Sequence, residues 1–135
     1  MTVVRRTLPP LFCVALVLVS CGDQHGSSDE AASYRGAMDA VCQAQTFASQ
    51  REYRAASDAF YDNAHAFLHA FAARVQERDA AAAGKLLETK EQVEVTFRDP
   101  SFYGSEVIVR RLLDLQDAMR GAAQVLGLPE VGCAA

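Results

Sequence analysis

The chain has 135 residues, with 17 Asp and Glu against 13 Lys and Arg, for a formal net charge of −4. Such an acid excess gives no electrostatic basis for holding nucleic acid, which needs clustered cationic side chains. Half the residues are hydrophobic, and the length suits one domain rather than several.

The first element is a leader. Arg5 and Arg6 precede Pro9-Pro10, and an unbroken apolar run, LFCVALVLV, extends from Leu11 to Val19 before the small Ser20. This is the layout of a secretory signal, and the run falls short of the roughly 20 apolar residues that a helix needs to cross a bilayer. The following stretch, CGDQHGSSDE from Cys21 to Glu30, is polar throughout.

The junction Leu18-Val19-Ser20-Cys21 resembles the lipobox of bacterial lipoproteins. The resemblance implies a diacylglyceryl group on the Cys21 thiol, cleavage just before it, and often acylation of the new amine. Each buried methylene contributes about 0.8 kcal/mol, so two or more acyl chains hold where one anchors marginally. The chain then divides into a signal peptide over 1–20, an acylated flexible tether over 21–33, and a helical domain over 34–135. The expected location is the extracytoplasmic face of a bacterial membrane, reached through the lipid.

Beyond the tether, no Gly or Pro occurs from Ala37 to Ala83, and strand-like alternation is absent. Apolar residues recur at helical spacing in four segments. The first carries Ala31, Tyr34, Met38 and Val41/Cys42, with Gln45 continuing the spacing. The second, and strongest, carries Phe60, Ala64, Phe67, Phe71 and Val75. The third has Ala83, Leu86, Leu87, Val93 and Phe97; the fourth has Ile108, Leu112, Leu115, Met119, Ala122 and Leu126. Ser49 with Glu52 has the form of a capping box that starts the second helix. Asp79 is the expected N-cap of the third. Asp99-Pro100 ends it and opens the fourth, proline being tolerated in a first helical turn. The first two stripes are nearly in phase, so one bent helix over about 34–77 stays open. The expected fold is all-α: an antiparallel bundle of about four helices behind the tether.

Of four cysteines, Cys13 leaves with the leader and Cys21 takes the lipid. Cys42 and Cys133 remain as an even pair in an oxidising compartment, for which a disulfide is the default. Gly127 to Cys133 can span ~23 Å when extended, enough to fold back over the bundle. The ending Leu126-Gly127-Leu128-Pro129, followed by Cys133, resembles those of small helical lipoproteins from actinobacteria. Their functions are largely unassigned, so this likeness implies no activity.

Two polar features invite chemistry. His65 and His69 are four apart and lie on one helical face, where they can chelate a metal ion. On a helical wheel centred on the second stripe they fall on the solvated side. Asp62 lies ~10 Å along the axis from His69, too far to join them. A third ligand has to come from elsewhere, with Glu88 and Glu91 as candidates. Separately, Leu86, Lys90, Val93 and Phe97 form a seam in which Lys90 stands where a hydrophobe belongs, with Glu94 one turn on. The simplest expectation is a snorkelling lysine; the functional one is a groove with a charged pair. Tyr34, Tyr53, Tyr61, Phe102 and Tyr103 close the core or form an interaction patch.

No G-x-S-x-G, HExxH, CxxC or phosphate-binding glycine loop is present. The expectation is a non-enzymatic domain that needs no cofactor and binds an envelope partner. The alternative is a small-ligand or metal-binding lipoprotein that uses the His65/His69 face.

Overall fold

The computed structural model describes residues 24–133, and the leader, Cys13 and Cys21 lie outside them. Five helices follow one another: α1 (Gln24–Ser49), α2 (Tyr53–Asn63), α3 (His65–Gln76), α4 (Ala80–Arg98) and α5 (Pro100–Leu126). No strand occurs among the described residues. None of the described helices is long and apolar enough to cross a membrane.

The predicted stripes face inward for the most part, with two departures: Leu87 is exposed and Phe67 is only partly covered. Tyr34, Met38, Val41, Phe60, Phe71, Val75, Leu86, Val93, Ile108, Leu112, Leu115 and Met119 are buried in one continuous core. Pairs across the helices give their directions. Glu30 meets Arg74 and Tyr34 stacks on Phe71, so α1 and α3 run antiparallel. Gln45 meets Gln116 while Ala48 meets Ser105, so α1 and α5 do too.

The start and number of the helices differ from expectation. Helix α1 begins at Gln24, inside the stretch that composition assigns to a flexible tether. Small polar residues there are helical all the same. The Ser33 hydroxyl donates to the Asp29 carbonyl, and Glu30, 10 % exposed in its side chain, pairs with Arg74 of α3 at 2.6 Å. There are five helices rather than four because the second segment breaks at Ala64, whose φ of −116° departs from the helical value near −63°. The Asn63 side-chain amide donates to the Ala59 carbonyl at 3.4 Å, a local side-chain bond that competes with the helical ladder.

The turn between α1 and α2 is also not the expected capping box. The Ser49 hydroxyl bonds back to the Thr46 carbonyl at 2.7 Å. Arg51 takes φ 65°, and Glu52 stands at the N-cap of α2 without a side-chain cap bond. The other two caps are as read from the sequence. Asp79 Oδ1 accepts from the amides of Ala81 and Ala82, both at 2.9 Å. Asp99 Oδ1 accepts from Phe102 N, with Pro100 in the first turn.

Two glycines at positive φ shape α5. Gly104, at φ 75°, offsets its first turn, and Ser105 then donates to the Ala48 carbonyl at 2.6 Å. Gly127, at φ 70°, closes the other end, where Leu128 N bonds to the Ala123 carbonyl. The tail folds back with Leu128 and Val131 against the core and delivers Cys133 to Cys42. These two cysteines form a disulfide, Cα to Cα 5.4 Å, across 91 residues of sequence.

Candidate functional site

The polar feature with the strongest physical signature sits in the middle of α4. Leu86, Val93 and Phe97 pack inward, and Lys90 between them is only 3 % exposed. A snorkelling lysine would lift its ammonium into water; this one keeps it inside and donates to Glu94 Oε1 one turn on. Desolvating an ammonium costs several kcal/mol, so a carboxylate facing the same way is required. Glu94 therefore turns toward the seam, with 15 % of its side chain exposed.

Once Glu94 points inward, α3 brings a histidine to it. His65 Nε2 lies 2.8 Å from Glu94 Oε1, the same oxygen that Lys90 holds. The imidazole is one third exposed and rests against aromatic neighbours: Tyr61 at 5.3 Å between ring centroids, Phe60 at 6.1 Å and His69 at 4.9 Å. Burial pushes the Tyr61 phenol above its ordinary pKa. The nearby Glu94 charge adds to this, and Arg98 opposes it.

The helical wheel misplaces His65 for a definable reason. The residues of α3 that are buried are Leu68, Phe71, Ala72 and Val75, while Phe67 is only partly covered. At 100° per residue their centre lies about 40° from the stripe drawn through Phe60 and Phe67. The break at Ala64 causes that rotation, because α3 docks with its own phase. His65 thereby comes to the border of the buried face, whereas His69 stays exposed.

Three groups thus gather around one point. One ligand atom each of His65, His69 and Glu94 lies within 4.8 Å of the other two. Two imidazoles and a carboxylate are a donor set that suits a divalent transition metal. Glu88 and Glu91 do not supply the third donor: both are exposed, and Glu88 pairs with Lys85 at 3.5 Å. Asp62 is exposed and outside the cluster. The histidine pair and the Lys90–Glu94 pair, separate in the sequence, are one site in space. The signal that joins them is the buried lysine: it draws Glu94 inward and thereby fixes what the facing helix must offer.

The remaining candidates disperse. Of the aromatic residues, Tyr34 is fully buried on Phe71, Tyr53 and Tyr103 are half-buried, Tyr61 flanks His65, and Phe102 is 78 % exposed. They do not form one patch. Burial also raises the Tyr34 pKa, and its hydroxyl has no hydrogen-bond partner. A concavity of about 470 Å³ lies between α4 and α5, lined by Lys85, Gln92, Arg111 and Asp117 among others. Its Arg111 donates to Gln92 at 2.7 Å.

The class this architecture defines is an all-helical, disulfide-clasped bundle with a half-buried His–Glu–Lys cluster on its α3/α4 flank. Comparison of the chain with protein-family models, with curated proteins and with solved structures finds no match. Function has to be argued from the site.

Proposed function

We propose that this chain is a lipid-anchored lipoprotein of the bacterial cell envelope, acylated on Cys21 and freed of residues 1–20. Its helices work at the extracytoplasmic face by binding, not by catalysis. The bent α2–α3 pair serves as one arm of a four-arm antiparallel bundle. The α3/α4 flank is the binding face, and what carries this is the convergence of His65, His69 and Glu94. A half-buried cluster with an exposed histidine at its rim can meet a ligand from solution, as a core polar pair cannot. The Cys42–Cys133 bridge supports the compartment, since such bonds persist where thiols are oxidised.

An envelope protein as the bound partner is the second reading. It is favoured by Phe102, a large apolar side chain left 78 % exposed beside Tyr103. A nucleic-acid partner has no support in a chain of net charge −4.

The test is metabolic labelling with an alkynyl palmitate, in the parent chain and in Cys21→Ser. Label on the parent alone, with the variant uncleaved and unlabelled, is the expected result. An unlabelled parent removes the anchor and the location with it.

A further inference from the structure

We propose that His65, His69 and Glu94 form a site for a single divalent ion of the zinc, copper or nickel class. Lys90 is the resident cation that holds Glu94 until such an ion arrives. This rests on reading the α3/α4 flank as the binding face.

Geometry comes first. Ligands on a tetrahedral ion at 2.0–2.2 Å stand roughly 3.4 Å from one another. The three donors already lie within 4.8 Å of one another, and His65 and Glu94 are at 2.8 Å. Closing the remainder falls to the exposed His69, whose side chain turns at little cost. In the free protein His65 Nε2 donates its proton to Glu94 Oε1 at 2.8 Å. On binding, the ring carries that proton on Nδ1 instead, the contact opens to roughly 3.4 Å, and each imidazole offers the lone pair of a neutral ring.

The donor chemistry then selects the ion. Calcium and magnesium favour all-oxygen shells, whereas two imidazoles with one carboxylate suit zinc, copper or nickel. Three protein ligands leave a further coordination position open toward solvent, beside His69. An anion is disfavoured, since it would meet the Glu94 carboxylate at the centre of the cluster. The buried Lys90 ammonium is already engaged there.

Lys90 gives the site its particular character. Its Nζ and His65 Nε2 both contact Glu94 Oε1, so an incoming cation competes with the ammonium for that oxygen. Without the ion, Lys90 supplies the positive charge beside the carboxylate. The same contact weakens the affinity.

The test uses the oxidised full chain purified in detergent, titrated calorimetrically with Zn²⁺, Ni²⁺ and Cu²⁺ and optically with Co²⁺. One ion per chain is expected, unaffected by excess Mg²⁺ or Ca²⁺. His65→Ala, His69→Ala and Glu94→Gln should each weaken binding by about tenfold or more, and Lys90→Met should tighten it by about tenfold. His25→Ala, which removes the third histidine of the chain, should change nothing. Circular dichroism of each variant separates lost binding from lost folding.

No binding by the parent, or equal binding by the His65→Ala/His69→Ala double variant, overturns the site. Unchanged affinity in folded Lys90→Met overturns the competing role of the lysine. A photo-crosslinker at position 69 separates the two readings. Capture of an envelope protein by a chain that binds no metal ends this inference and leaves the binding face standing. Neither metal nor capture ends both.

Discussion

Glu94→Ala leaves the Lys90 ammonium buried with no carboxylate beside it. Removing one partner of a buried pair costs about 3–5 kcal/mol. Glu94 keeps 15 % of its side chain in solvent and water can enter the space it vacates, so the lower end, ~3 kcal/mol, applies here. For a domain of this size that is roughly 10–20 °C in Tm. Lys90→Met is a different perturbation. Methionine retains the length of the stem and fills the seam between Leu86 and Val93, while Glu94 keeps His65 at 2.8 Å and some water. Its expected cost stays within about 1.5 kcal/mol. The double variant Lys90→Met/Glu94→Ala should then cost only about 1 kcal/mol, a coupling energy of about 2–3.5 kcal/mol. Urea denaturation followed by far-UV circular dichroism, disulfide intact, measures all four corners of the cycle. If the double variant is no more stable than Glu94→Ala, the cost came from packing and the electrostatic account of the cluster is wrong.

Four further outcomes follow from the rest of the fold. Replacing both Cys42 and Cys133 by serine opens a loop of 91 residues and should cost about 4.6 kcal/mol on the chain-entropy model, read as a lower urea midpoint. Tyr34→Phe deletes a buried hydroxyl with no partner, so stability should rise by about 1 kcal/mol. The parent should also lose stability above pH ~10, because the phenols of Tyr34 and Tyr61 titrate higher when folded than when unfolded. Tyr34→Phe should shorten that alkaline loss, measured as the urea midpoint against pH. Asp79→Ala removes the acceptor for two amides at the start of α4 and should cost about 1 kcal/mol by the same assay.

Most of the stripes, the Asp79 and Asp99 caps and the Cys42–Cys133 pair were legible because each obeys a local rule; the Ser49/Glu52 box obeys one too, yet Ser49 bonds back into α1 instead. Periodicity marks Ile108, Leu112, Leu115 and Met119; an acidic side chain before a helix marks Asp79; an even pair of cysteines behind the leader marks Cys42 and Cys133. The break at Ala64 obeys none, since neither glycine nor proline is near it and alanine is the best helix former. A wheel that runs unbroken through residue 64 carries the phase of α2 into α3 and puts His65 on the wrong side by some 40°. Likewise, Glu94 is preferred over Glu88 and Glu91 only once α3 lies against α4. Residue spacing in one helix says nothing of which turn of another it faces. The helical N-terminus escaped for a similar reason: Glu30 is held by Arg74, more than forty positions on.

The cluster is not accounted for by stability alone. A buried ion pair exchanged for packed hydrophobes of similar volume is often neutral or stabilising by 1–4 kcal/mol. Leucine or methionine at 90 and 94 would serve the α3/α4 seam at least as well, and the bundle has ample apolar contact elsewhere. What such residues cannot supply is a carboxylate held 2.8 Å from an imidazole, with a second imidazole one turn away at the solvent edge. Position adds to this. On the proposed anchoring, α1 starts just past Cys21, and the antiparallel pairing of Tyr34 with Phe71 sets His65 about 24 Å along α1 from its first turn. With α1 upright on that anchor, the proposed site would stand beyond the headgroup layer and be open to a ligand from solution.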